Sequence, residues 1–348
     1  MENKKILFFD TKPYDKRFFD QANKLFGFKI EYFNEHLNNN TAMFSKGYDV
    51  VCAFVNDDLN KQVLEQLMKN KVALIAMRCA GYNNVDIKFS YGKIHVVRVP
   101  GYSPHAVAEH AVALILSLNR KTHKAYYRIR DGNFSINGLI GFDLYGKTAG
   151  VIGVGKIGRC LIDILKGFGM RVLVYDIATD DKFAQEKDIK YVSLEELYSQ
   201  SDVISLHSPL TRETHHMINA KSISLMKDGV MLINTGRGGL VNTQDLIQGL
   251  KNNKIGCAGL DVYEEESEYF FEDFSNEVIN DDVLARLLVF PNVLVTSHQA
   301  FFTKEALASI AHTTLLNITN YFKNEYLENE ICYKCEKECL KKQKKRCF

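Results

Sequence analysis

The sequence has no apolar run approaching the ~20 residues that a bilayer-spanning helix needs. Its first apolar stretch, Ile6-Leu-Phe-Phe9, is four residues long, too short for the core of a signal peptide, and reads as a first strand. The expectation is a cytoplasmic chain with no membrane partner. A strong excess of one charge is also missing. Lys and Arg number 44 against 42 Asp and Glu, and the net +2 gives no reason to expect nucleic acid or an anionic surface as partner. No repeat of the 20–50-residue solenoid kind is present. Proline is scarce, five in 348 residues, and two of the five, Pro100 and Pro104, punctuate one short segment together with Gly101. Cysteine is not scarce. Of eight, Cys52, Cys79, Cys160 and Cys257 are scattered and expected to be reduced thiols in a cytoplasmic protein.

Composition is ordinary for a globular chain, 46% hydrophobic and 25% charged, and the length predicts two domains. Short apolar runs at 5–9, 29–33, 49–54, 72–77 and 95–99 alternate with polar-faced helical stretches, the βαβα rhythm of a parallel sheet. After the break at 100–104 a long helix is expected over about 106–130, rich in Ala and Leu. A second series follows, with strands at 149–152, 171–175, 203–206, 230–234, 257–260 and 293–296 and a last helix at 306–322. The fold class is therefore α/β, two doubly wound parallel-sheet domains, with chain crossings near 101 and 300. The expected division is 1–101 plus 300–331, then 102–299, then a tail at 332–348.

Gly153-Val-Gly155-Lys-Ile-Gly158 follows a strand and precedes a helix predicted at 159–168, the context that gives a Gly-x-Gly-x-x-Gly its meaning. Gly153 permits a tight turn, Gly155 lets backbone approach a pyrophosphate, and Gly158 allows close packing of helix on strand. Eighteen residues beyond Gly158 the next strand ends in Asp176, placed to accept from the ribose hydroxyls of NAD and to repel the extra phosphate of NADP. In an open parallel sheet ligands bind beyond the carboxyl ends of the strands. Three successive strands of the second series end in Thr235-Gly236-Arg237, in Asp261 with the acidic run to Glu266, and in Ser297-His298. Histidine can exchange the proton of a carbonyl reduction, a nearby carboxylate favours imidazolium, and arginine can clamp a carboxylate and polarise the adjacent carbonyl. His207 also ends a strand and is the rival histidine.

Arg78-Cys-Ala-Gly81-Tyr-Asn-Asn-Val-Asp86, Val97-Arg-Val-Pro-Gly-Tyr102-Ser-Pro, Ala108-Glu-His-Ala, Gly146-Lys-Thr-Ala-Gly-Val-Ile-Gly and Phe270-Phe-Glu-Asp occur in that order. Through them the chain resembles the D-isomer-specific 2-hydroxyacid dehydrogenases over residues 4–331, most closely their lactate-forming branch. The resemblance implies a Rossmann NAD-binding domain and a flavodoxin-like substrate domain with an active-site cleft between them. It implies reversible hydride transfer between NADH and pyruvate giving D-lactate. It makes His298 the acid/base, Glu266 its carboxylate partner and Arg237 the substrate anchor. Backbone amides of Cys79, Ala80 and Gly81 would hold the substrate carboxylate, and Tyr102 would close the pocket. Lys156, Ile157, Asp176, Ser208, Pro209, Thr214, Thr235, Gly236, Arg237 and Asp261 match cofactor-contact positions of the family. A homodimer or homotetramer is implied, with the helix after Pro104 as the contact.

Two alternatives stay open. One is a dehydrogenase for a bulkier or different D-2-hydroxy acid, and the other a non-catalytic, NAD-sensing protein of the corepressor kind. The tail departs from the family pattern. Its Cys332, Cys335, Cys339 and Cys347 sit among basic residues, and the expectation is a disordered charged extension without a metal, the alternative being a thiolate metal site.

Overall fold

The computed structural model describes residues 4–265, 269–333 and 346. The chain divides into two compact units, one of Met1–Ser103 with Phe302–Phe348 and one of Pro104–Phe301. Among the described residues no helix is long and apolar enough to cross a membrane.

The first unit holds strands β1 (Lys5–Phe8), β2 (Lys29–Tyr32), β3 (Val50–Ala53), β4 (Leu74–Met77) and β5 (His95–Val97), all parallel, in the order β2-β1-β3-β4-β5. That is the flavodoxin-like doubly wound order. Every residue of β3 and β4 is buried, as expected of central parallel strands covered on both faces. Helix Lys304–Phe322 starts where Thr303 accepts from the Ala306 amide and buries Leu307, Ile310, Ala311, Thr314, Leu315 and Ile318, one stripe at helical spacing. It packs on helix Pro13–Asn23 and on β4, so the end of the chain completes the first unit. Beyond it, Arg98 donates its amide to the Asn329 carbonyl (3.0 Å) and Ile331 donates to the Val96 carbonyl (2.8 Å), covering the β5 edge with returning chain.

The second unit holds β6 (Thr148–Ile152), β7 (Arg171–Tyr175), β8 (Lys190–Tyr191), β9 (Val203–Leu206), β10 (Val230–Asn234), β11 (Ile255–Leu260) and β12 (Val293–Val295). Their order is β12-β11-β10-β9-β6-β7-β8, all parallel. Counted from its own first strand this is 3-2-1-4-5-6 with a seventh strand added, the dinucleotide-binding winding with its switch point between β6 and β9.

Three expectations need correction. The helix predicted at 106–130 is two helices, Pro104–Arg120 and Thr122–Arg130. Lys121 between them is left-handed (φ +50°), and its ammonium donates to the Gly138 and Ile140 carbonyls at 2.9 and 3.0 Å. The first helix buries Ala108, Ala111, Leu114, Ile115 and Leu118, whereas the second buries nothing. With the apolar stripe exhausted, no packing holds a straight continuation. The strand β8 was not expected, because two residues carry too little pattern to read. The helix after the glycine turn begins at Lys156 rather than 159.

Candidate active site

The glycine turn has the geometry its spacing predicts. Gly153 has φ +96°, and a Cβ there would sit 2.5 Å from the His207 carbonyl carbon and the Ser208 nitrogen. A Cβ on Gly158 would lie 2.1 Å from the Gly153 oxygen, whereas one on Gly155 would meet nothing within 4 Å. Gly155 therefore faces open space. It is also the N-cap of helix Lys156–Gly167, and no side chain caps that end. An uncapped twelve-residue helix with open space before it fits a pyrophosphate. Asp176, at the end of β7, accepts from the Val154 amide (2.6 Å) and the Ala178 amide (3.0 Å), which fixes its carboxylate beside the turn. Thr235 adds a buried hydroxyl oxygen with no hydrogen-bond partner among the described residues. A polar ligand seated there would satisfy it.

The ends of β10, β11 and β12 are neighbours by register, Asn234 opposite Leu260 and Leu260 opposite Val295. After β10, the Asn234 side chain donates to the Arg237 carbonyl (2.9 Å) and accepts from the Gly236 amide (3.0 Å), closing the turn that presents Arg237. The half-buried Arg237 guanidinium donates to the Gly236 carbonyl at 2.7 Å. A Cβ on Gly238 would fall 2.0 Å from the Tyr263 oxygen, so glycine is what lets this turn lie against the segment after β11.

His298 is held on a strained backbone at φ +48°, a conformation that costs a histidine about 1–2 kcal/mol. The buried Asp261 accounts for its persistence. Its carbonyl accepts the His298 amide (2.8 Å), and its carboxylate accepts the Gln299 amide (2.9 Å), the Ala300 amide (2.8 Å) and the Thr296 hydroxyl (2.5 Å). His110, from helix Pro104–Arg120, joins the network through the Thr296 hydroxyl at 3.0 Å and lies 3.3 Å from the Asp261 carboxylate. The Phe271 ring lies 5.9 Å from the imidazole of His298.

The rival, His207, ends β9 with its Nε2 2.8 Å from the Ser205 hydroxyl. Burial pushes its pKa down to about 4. It is neutral near pH 7 and poorly suited to deliver a proton there. The following loop is compact. The Thr214 hydroxyl donates to the Pro209 carbonyl (2.6 Å), and the Ser208 hydroxyl faces the Met217 sulfur (3.6 Å). In the acidic run, Glu264 is committed elsewhere. It pairs with His216 at 2.5 Å and accepts from the Thr243 amide at 2.9 Å. Glu266 lies outside the described residues.

In the first unit, Cys79, Ala80 and Gly81 follow β4, and Tyr102, half-buried, lies just before helix Pro104–Arg120. The Ala80 and Gly81 amides have no acceptor among the described residues. Before them, Arg78 is buried, with its guanidinium 4.5 and 4.7 Å from the Phe8 and Phe54 ring centres and 3.7 and 3.6 Å from the Asp10 and Asp15 carboxylates. Sequence reasoning singled out neither the Asp261–His110–Thr296 network nor this buried group. Both join residues far apart in the chain. Of the tail cysteines, Cys332 is a free thiol, and Cys335, Cys339 and Cys347 lie outside the described residues.

The sheet order, the open glycine turn and the acidic end of β7 define a dinucleotide-binding α/β protein. Comparison with known proteins sharpens the class. Residues 112–300 match the family described as D-isomer specific 2-hydroxyacid dehydrogenase, NAD binding domain. The chain is 52% identical to the D-lactate dehydrogenase of Escherichia coli over 328 residues, 94% of this chain and 99% of that one. The apo structure of the Escherichia coli enzyme superposes with a TM-score of 0.87, covering 94% of this chain and 99% of the other at 50% identity. A Chlamydomonas reinhardtii structure described as a pyruvate reductase gives 0.89 at 42% identity, covering 94% and 98%. The chain belongs to the D-isomer specific 2-hydroxyacid dehydrogenase family, and NAD is its cofactor.

Proposed function

We propose that this protein is an NAD-dependent D-lactate dehydrogenase that interconverts pyruvate and D-lactate. The observation that carries the reading is the alignment of Arg237, Asp261 and His298 at three adjacent strand ends of the NAD-binding unit. The names of its near relatives, a D-lactate dehydrogenase and a pyruvate reductase, point to the same substrate. In this reading 102–299 binds NAD, and 1–101 with 300–331 forms the substrate domain. Lys156, Ile157, Asp176, Ser208, Pro209, Thr214, Thr235 and Gly236 hold the cofactor.

When bound, NADH supplies the hydride for the carbonyl carbon. His298 delivers the proton to the carbonyl oxygen and takes it back in the reverse direction, with Glu266 as its carboxylate partner. Arg237 pairs with the substrate carboxylate and polarises the carbonyl beside it. The Ala80 and Gly81 amides, which have no acceptor among the described residues, add donors for that carboxylate, and Tyr102 closes the pocket. The sum is pyruvate, NADH and one proton giving D-lactate and NAD+.

The reading extends to a homo-oligomer working in the cytoplasm. Tyr127, Phe134, Ile136, Ile140 and Tyr145, within one stretch of chain, are 68–85% exposed, and such large apolar side chains left bare support an association surface. Light scattering is expected to give a multiple of the 39.7 kDa chain mass, and a single-chain mass would refute this part.

The direct test is NADH oxidation with pyruvate against phenylpyruvate. A higher kcat/KM for pyruvate is expected. A preference for phenylpyruvate would move the assignment to a bulkier acid, and no oxidation with any 2-oxo acid would favour a non-catalytic NAD sensor.

A further inference from the structure

The loop after β4 shows how two amides without an acceptor among the described residues can be aimed, and which residue aims them. In a trans peptide the C=O and the following N–H point in opposite directions from one rigid plane, so fixing the oxygen fixes the hydrogen. The Cys79 carbonyl accepts the Val99 amide at 3.1 Å, which sets the plane carrying the Ala80 N–H. The Ala80 carbonyl accepts the Arg98 guanidinium at 2.6 Å, which sets the plane carrying the Gly81 N–H. Consecutive residues beyond β5 therefore orient consecutive amides beyond β4. The first does so through backbone, and the second through a side chain that no ladder hydrogen bond replaces.

Arg98 is itself well anchored. Its amide donates to the Asn329 carbonyl (3.0 Å), its carbonyl accepts the Asn317 side chain (2.9 Å), and the Asn329 side chain donates to that of Asn317 (2.9 Å). Its guanidinium lies 4.9 Å from the Tyr82 ring centre, within cation–π range, so the side chain is tied to the loop at two points. The half-buried guanidinium also places a permanent positive charge at the Ala80 carbonyl.

We propose that Arg98 is a positioning residue for the substrate carboxylate, setting the Gly81 amide through the Ala80 carbonyl. This rests on the reading of the loop as the carboxylate site of a 2-oxo acid reductase. Its signature is selective. Loss of Arg98 weakens recognition of a substrate that has the carboxylate and leaves untouched one that lacks it.

The experiment compares pyruvate with its neutral methyl ester, using NADH oxidation by the full chain. In Arg98→Met the KM for pyruvate is expected to rise at least about tenfold with NADH affinity unchanged, the scale of one charge-assisted hydrogen bond. The kcat/KM for methyl pyruvate is expected to stay within about twofold, so the preference for the acid over the ester falls about tenfold. Arg98→Lys, which keeps a cationic donor, is expected to recover most of that preference. An unchanged preference in Arg98→Met, or equal losses on acid and ester, overturns the proposal. Should the methionine variant not fold, Arg98→Gln is read by the same ratio and the same two outcomes. If the unaltered protein fails to reduce pyruvate, the underlying reading has failed; if it reduces pyruvate and the ratio does not move, only Arg98 is misassigned.

Discussion

Two strands of the second sheet, β9 and β12, are each followed within three residues by a histidine, and the two sites are built in opposite ways. At β9, His207 sits on an ordinary backbone, faces the Ser205 hydroxyl and is held neutral by burial. At β12, His298 is on a left-handed backbone held in place by the carboxylate of Asp261, its ring half-buried. The strand-end position is common to both, so position alone does not identify the proton carrier. Both rings are half-buried; what differs is the backbone, ordinary at His207 and strained at His298, where neighbouring groups hold the ring in one presentation. Strain that persists only because neighbours enforce it is the feature expected of a working group.

The sharpest way to break this contrast is to remove the ring at β12. His298→Ala is expected to lower kcat by about 10²–10⁴-fold, the usual contribution of a positioned acid/base, with NADH affinity kept within about twofold. Steady-state kinetics with pyruvate and a fluorescence titration with NADH check both halves. A kcat near that of the unaltered protein would return the role to another group, His207 first.

A smaller effect should follow from loosening the support and keeping the ring. Asp261→Asn replaces one acceptor oxygen by an amide, so either the Ala300 amide loses its acceptor at Oδ2 or the Gln299 amide and Thr296 hydroxyl lose theirs at Oδ1. Leaving such a donor unsatisfied costs about 1–3 kcal/mol, and released as misplacement of His298 it slows turnover about 10–100-fold. kcat and the melting temperature measured together test this, and a variant with full activity would show that the capped loop is not what aims the imidazole.

Much of this organisation was legible in the sequence. The twofold series of buried strands, the glycine turn and the residues at strand ends are local patterns, each set within a few positions of chain. What was not legible is tertiary. The Asp261 carboxylate reaches amides almost forty positions away, and Arg98 finds the Ala80 carbonyl only because β4 and β5 are neighbours in the sheet. The break at Lys121 was hidden for a related reason. Ala- and Leu-rich sequence favours helix through Leu118, but continuation depends on a surface to pack against, and none is recorded in the residues themselves. Among the acidic residues after Asp261, spacing cannot say which carboxylate is used. The His216 and Thr243 contacts of Glu264 commit that one to a structural pair.

The smallest effect lies at β9 and is read in stability, not in rate. The folded pKa of His207 is about 4 against about 6.5 for a free imidazole, so between these values the unfolded chain binds a proton that the folded chain refuses. The sign follows. The contribution of His207 to stability is complete above about pH 6.5 and is lost as the pH falls toward 4, by up to about 3 kcal/mol. His207→Gln removes that dependence, so the gap in stability between variant and unaltered protein should shrink on acidification through this window. Urea unfolding at pH 7, 6 and 5 measures that gap. A parallel pair of stability curves for His207→Gln and the unaltered protein would show that the β9 histidine titrates like a solvated one, and the contrast between the two strand ends would then rest on backbone geometry alone.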